Sequence, residues 1–480
     1  MIKREYKKLL SNTGLLAIGS FASSLLGMLL IPFYTSVLST ADYGISDLIV
    51  TTTSLLYPFT TMAISEAIMR FALDKHADRK SIYSIGLSMI GIGYIILLLC
   101  TPLIKKTTIG EYYTFFMLYY FCYCVHTITS YFVKGIEKIK IYSFAGLLNS
   151  IIVISCNLFF LLFLKIGIVG YLLSSILGHG LTALFMIVRG ELYKYVIPIW
   201  RIDRVLFREM LRYSIPIIPN SISWWIANSS DKYVLNHFAD VSQVGIYSIS
   251  YKIPTIMMTV MGFFISAWQI SAVDDFGSQK SQQFFSDIFR KCFTVNVILA
   301  SFLIAFSKVI GTFLYSAEFF VAWRYVPVLV IANVFNVMAS FMGTIYTSAK
   351  KTKMLSISTL LGAMINIIMN FLLIPTIGAM GAAIATAFSY FVMWIIRMIN
   401  TRDIMRLTYN IKKMWVLITC LLIEVILVST DEILTHIGSY CIFIIILILN
   451  KNAVVEVVYM IMKALLSKTN LNKEKRIKND

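Results

Sequence analysis

Chemistry in this chain is confined to a few charged and amide residues set among long apolar runs. Lys252 stands out, because the run from Ile253 to Val273 that follows it carries no Asp, Glu, Lys or Arg. A lone charge at the centre of a bilayer costs roughly 2.5–3.5 kcal/mol, so one retained there calls for a partner or a cargo. Asp231 and Lys232 sit together in NSSDKY, and Asn228 shares a helical face with Trp224 and Asp231. Asp47 and Arg70 complete the set, with Glu66 four residues before Arg70 at pairing distance on a helix. These types can hold an anionic, hydroxyl-rich cargo. They do not compose a catalytic centre.

Nothing in the sequence specifies bond making. There is no nucleophile elbow, phosphate loop, zinc signature or nucleotide fingerprint. The five histidines (His76, His126, His179, His237, His436) lack ligand spacing, and Cys122-x-Cys124 alone is weak evidence for a metal. The seven cysteines fall in apolar runs or at their ends, so no structural disulfide is expected. The expectation is a non-enzyme with no cofactor and no metal.

The elements that must position these residues are membrane helices. The 480 residues are 58% hydrophobic and 14% charged, with a mean hydropathy of +0.79, which excludes an ordinary soluble domain. Runs of spanning length are expected at 11–35, 42–66, 81–103, 112–133, 142–164, 168–188, 213–236, 243–268, 288–308, 325–348, 354–374, 378–398, 413–430 and 433–450. The chain is thus all-α and polytopic, with about fourteen transmembrane helices, the last two short enough that twelve remains open. With the eighth helix beginning near Gln243, a rise of about 1.5 Å per residue places Lys252 roughly 14 Å deep. Glu424 falls midway along the thirteenth. Pro216 and Pro219 should bend the seventh.

A tandem duplication organises these helices. A shift of 201 residues lays LSTADYGISDLI on ADVSQVGIYSIS, with Gly44 on Gly245 and Asp47 on Ser248. Gly245, Ser248, Lys252, Thr255 and Thr259 then share one helical face, as do Gly44, Asp47, Thr51 and Ser54. Such polar stripes should face protein or water and line one cavity. KIKIYS (138–143) also aligns with KTKMLS (351–356), and Asn157 with Asn370. Six helices per copy is an even number, so the repeats are parallel about an axis along the membrane normal.

The expected divisions are 1–190 for the first six helices, 191–212 for a cytoplasmic linker, 213–400 for the second six, 401–450 for helices 13 and 14, and 451–480 for a basic tail. Within the linker, RIDRVLFREMLRY (201–213) has the spacing of an interfacial helix. The net charge of +18 is an orientation signal and not a nucleic-acid signal, since 35 of the 42 Lys and Arg fall in the segments on one side. By the positive-inside rule both termini are cytoplasmic.

The order of YTSVLSTADYGISDL, ISEAIMRFALD, IPIIPNSISWWIANSSDKYVLNHF and VGIYSISYKI resembles the polysaccharide flippases of the O-antigen and capsule repeat-unit (Wzx) type. These belong to the multidrug/oligosaccharidyl-lipid/polysaccharide exporter (MOP) superfamily. The resemblance covers about residues 5–400. It implies two six-helix lobes in a V around a central cavity, in a bacterial inner membrane. It also implies transfer of an undecaprenyl-pyrophosphate-linked oligosaccharide from the inner to the outer leaflet, alongside polysaccharide polymerases and glycosyltransferases. Arg70, Asp231, Lys232 and Lys252 match positions where that family carries charge. Two relatives of the same superfamily stay open. A multidrug or cation antiporter would need an acidic site in the first lobe, which Asp47 or Glu66 could supply. A lipid II flippase would be expected to carry several cavity arginines there, and Arg70 is the main one. A membrane glycosyltransferase or polymerase would need a sizeable non-membrane domain, which no loop is long enough to form.

Overall fold

The computed structural model describes residues 27–451 apart from 75 and 277–280, and no strand occurs among them. The expected first span and the basic tail therefore lie largely outside the described residues. The first repeat contributes α1 (Ile31–Val37), α2 (Thr40–Thr60), α3 (Ile64–Ala72), α4 (Arg79–Leu99), α5 (Tyr113–Gly135), α6 (Ile139–Asn157) and α7 (Gly167–Arg189). An amphipathic helix α8 (Arg204–Ser214) follows. The second repeat supplies α9 (Ile218–Phe238), α10 (Val241–Ser250), α11 (Lys252–Asp275), α12 (Ser281–Ala305), α13 (Ser307–Leu314), α14 (Val326–Ser348) and α15 (Thr352–Asn400). A final hairpin comprises α16 (Ile411–Ser429) and α17 (Ile433–Leu449).

Local sequence explains where these helices start and stop. Ser39 caps α2 by accepting from the Asp42 N–H at 3.1 Å, and Asp240 caps α10 by accepting from Gln243 N–H at 2.8 Å. Those two caps are 201 residues apart, so the repeat extends to the helix-initiating side chain. Pro216 and Pro219 do not kink a continuous helix as expected. They occupy the first turns of a short 215–217 helix and of α9, where a missing N–H has no partner to lose.

One expected span is broken. The run 42–66 stops at Thr60, and α3 leaves at 64° to α2. Met62 and Ala63 there have left-handed φ of 52° and 49°, and Pro58 precedes them inside the helix. α10 and α11 meet at Tyr251, a single turn residue of helical φ and ψ, and together make one span. Pro254 cannot donate to the Ser250 carbonyl, which frees that turn. The boundary expected between the spans 354–374 and 378–398 is a sharp break inside α15, with Ile377 and Gly378 non-helical and Gly378 at φ +55°.

Seven described helices are long and apolar enough to cross a membrane, or eight if α2 with α3 is one span. The longest of these is α15 with both of its segments. Length and hydropathy alone thus fall short of fourteen. Two apolar clusters form the core, one mainly from the first repeat and one mainly from the second with α16 and α17. The linker segment is helical as expected: Asp203 caps α8 through the N–H groups of Val205 and Leu206, and Met210 is buried against the first repeat.

Candidate functional site between the repeats

The seam is built by two glycines in equivalent places. A Cβ on Gly44 would lie 2.0 Å from the Val241 carbonyl oxygen, and one on Gly245 would lie 1.9 Å from the Thr40 carbonyl oxygen. Val241 is Thr40 displaced by 201, so the contact is reciprocal, as across a two-fold axis. Only glycine permits backbones this close. One turn on, Ser248 donates to Asp47 Oδ2 at 2.8 Å, again joining equivalent positions.

The polar stripes therefore meet across the repeats as expected, but at this level they form a closed seam instead of lining a hollow. Lys232 reaches the seam from α9 and donates to Asp47 at 2.7 Å. Three further bonds fix α9 to α2 or the first repeat: Trp225 Nε1 to the Thr51 carbonyl at 3.0 Å, Tyr233 hydroxyl with Thr52, and Asn236 to Thr108 at 2.8 Å. Trp225 is thereby a packing residue. Thr35 bonds the Leu314 carbonyl and Ser316 N–H, tying α1 to the α13 end of the second repeat.

Lys252 and Thr255 are exposed, immediately past Tyr251. Lys252 makes no hydrogen bond or ion pair among the described residues, yet it lies within Coulombic reach of Asp47. Asp47 is already paired with Lys232, so Lys252 is not its hydrogen-bonded partner.

Asp231 points the other way, into the second repeat. It is 1% exposed and accepts from Tyr247 at 2.7 Å, from Tyr251 at 3.4 Å and from the Lys232 backbone N–H at 2.9 Å. Its neighbour in sequence, Lys232, thus does not pair with it by side chain. Around it Ser230, Asn366, Asn370 and Thr386 form a chain of buried amide and hydroxyl bonds at 2.9–3.3 Å. Asn228, on the exposed edge, accepts from Tyr390 at 2.9 Å and donates to the Trp224 carbonyl at 2.6 Å. One carboxylate among neutral oxygens suits a proton or a small monovalent cation, not a multivalent metal. No group of three or more His, Cys, Asp and Glu able to hold a metal occurs among the described residues.

Arg70 is not brought to this site. It is exposed on α3 and pairs with Asp74 at 2.9 Å, so the expected Glu66–Arg70 pair does not form. Glu66 instead accepts from Tyr131 of α5 at 3.1 Å. Glu424 is fully buried, with the Ser301 hydroxyl donating at 3.1 Å. The sequence reading missed two features. Arg397 is buried and spends its guanidinium on Ser358, Thr359 and the Ala339 carbonyl at 2.8–2.9 Å, with no carboxylate. His126 and His179, 53 residues apart, have ring centroids 5.0 Å apart beside Tyr119 and Tyr123.

Two helical repeats meeting at a reciprocal glycine contact, with the Asp47–Lys232 ion pair on that seam, define a membrane protein of transporter fold. The chain belongs to the family described as polysaccharide biosynthesis proteins, whose profile matches residues 9–269. It is 23% identical over 317 residues to the uncharacterised membrane protein MJ1068 of Methanocaldococcus jannaschii, covering 63% of this chain and 61% of that one. Over 187 residues it is 23% identical to a Haloferax volcanii protein named "Probable low-salt glycan biosynthesis flippase Agl15", covering 38% and 39%. In fold it is similar to the lipid II flippase MurJ in an inward closed conformation, with a TM-score of 0.70 at 15% identity over 92% of this chain and 99% of that one. It also resembles an inward-facing multidrug resistance MATE family transporter of the MOP superfamily, with a TM-score of 0.65 at 14% identity over 79% and 94%.

Proposed function

We propose that this protein is a flippase that carries undecaprenyl-pyrophosphate-linked oligosaccharide from the inner to the outer leaflet by alternating access, for surface polysaccharide assembly. Glycosyltransferases would supply that cargo and a polymerase would consume it. In this reading both termini are cytoplasmic, the Gly44/Gly245 seam is the outer gate, and Lys252 receives the pyrophosphate.

The observation that carries the reading is the state of Lys252, an unpaired exposed cation beyond a closed gate. A pyrophosphate needs such a charge, and its glycan needs hydroxyl and amide partners like Thr255 and Asn228. The polyprenyl tail can remain in lipid. Membership of the polysaccharide biosynthesis family supports the cargo class.

A second reading, translocation of lipid II, is favoured by the TM-score of 0.70 to MurJ. It uses the same cation and the same gate. Lys252→Ala should abolish export while the protein reaches the membrane in normal amount. Surface polysaccharide measured in the native host tests this, and wild-type levels in the mutant refute the role of Lys252. Rescue of a strain depleted of its lipid II flippase would favour the second reading over the first.

A further inference from the structure

A cavity of about 820 Å³ opens where α15 ends, far along the chain from the seam. Its walls include Met342, Ile399, Met405 and Leu407, and the exposed Arg402 and Arg406 also line it. The volume lies within the range of small-ligand sites.

The chamber is held open by its own backbone. Ile404 and Met405 N–H groups donate to the Thr401 carbonyl at 3.0 and 2.8 Å, closing the turn that follows α15. Gln282 of α12 donates to the Arg406 carbonyl at 2.8 Å, and Thr408 N–H donates to Ser286 at 2.9 Å. Asn410 then caps α16 through Lys413 N–H at 3.0 Å. The loop 404–410 is thus tied to α12 and to the helices on either side of it.

Its charge is unbalanced. Arg402 and Arg406 are exposed and form no ion pair among the described residues, and Asp403, which lies between them and shares the lining, pairs with neither. Two free guanidiniums over a methionine and isoleucine wall fit a molecule with an anionic head and an apolar body. A phosphate ion would use the arginines and waste the wall, and a neutral lipid would do the reverse. We propose that this cavity binds an anionic phospholipid of the surrounding bilayer, its phosphate on Arg402 and Arg406 and part of an acyl chain among Met342, Ile399 and Met405. Basic pockets between membrane helices on the cytoplasmic side take anionic headgroups in this manner. The inference does not depend on what the protein transports.

The test uses the purified full chain in detergent, titrated with phosphatidylglycerol, phosphatidylcholine or inorganic phosphate and followed by native mass spectrometry and thermal melting. At about 1 kcal/mol per arginine near an anionic headgroup, phosphatidylglycerol should bind about thirty-fold tighter than phosphatidylcholine. The pair R402Q/R406Q should reduce that ratio to near one with phosphatidylcholine binding unchanged, R406Q alone should lower it about five-fold, and R402K/R406K should keep most of it. Equal affinity of the wild type for both lipids overturns the proposal, as does a ratio that survives R406Q and R402Q/R406Q. Inorganic phosphate raising the melting temperature as far as phosphatidylglycerol would overturn it too, by making the site one for a free anion.

Discussion

Placing a methyl group at residue 245 should open the seam. In Gly245→Ala the new Cβ meets the Thr40 carbonyl oxygen at 1.9 Å, whereas ordinary contact begins near 3.4 Å. The obstructing atom is backbone, so no side chain can turn away, and the helices must part by about 1.5 Å. Ser248 to Asp47 would then stretch from 2.8 Å to roughly 4.3 Å, past the hydrogen-bond limit of about 3.5 Å. Overpacking of this kind costs about 1–3 kcal/mol, all of it charged to the closed state. The population with the seam open should rise about five- to 150-fold. The assay compares S248C with S248C/G245A, labelled by an impermeant maleimide and read at the peptide carrying residue 248 by mass spectrometry. Faster labelling in the double variant is expected. An unchanged rate would refute the claim that α2 and α10 close on each other here.

Two further outcomes follow from charges away from the seam. Arg397→Ala should be destabilising, by about 1–3 kcal/mol, because Ser358, Thr359 and the Ala339 carbonyl each lose a buried donor, although both hydroxyls keep the Leu355 carbonyl; monodisperse yield after solubilisation measures it, and a wild-type yield would contradict it. Asp431, in the turn between α16 and α17, is bonded by Lys308 and also meets Arg324 at 3.4 Å and His436 at 3.5 Å. The Lys308 hydrogen bond holds its carboxyl below the usual aspartate range, against the opposing effect of burial, with His436 and Arg324 assisting. A depressed folded value means the stabilisation is full above about pH 4, the unfolded value, and is lost as pH falls through the folded one. Melting of Asp431→Asn should therefore lie below wild type by about 1 kcal/mol or less at neutral pH, and the difference should vanish in acid; a constant difference down to pH 2 would contradict this.

Much of the architecture was legible because duplication writes itself as a fixed offset. Gly44 with Gly245, Asp47 with Ser248, and the caps Ser39 and Asp240 all follow from one shift, and all three pairs occupy matching places. What periodicity cannot convey is a backbone that leaves the helix without a glycine. Met62 and Ala63 adopt left-handed φ inside a run that hydropathy joins smoothly. Arg397 was equally hidden, since a single arginine at the end of an apolar run reads as an inner anchor. Its burial depends on Ser358 and Thr359 from the other segment of α15. Glu66 shows the same limit: spacing offered Arg70, while Tyr131 from a neighbouring helix took the carboxylate.

The reciprocal contact carries an evolutionary constraint. Residues on a two-fold axis meet their own counterparts, so a self-associating single copy would have set Asp47 against another Asp47 with its charge doubled. Only after the two copies were fused could one keep the carboxylate while the other took a hydroxyl that donates to it. Divergence at 47 and 248 is thus something a homodimer cannot reach, while 44 and 245 are held to the same residue in both copies by the same geometry.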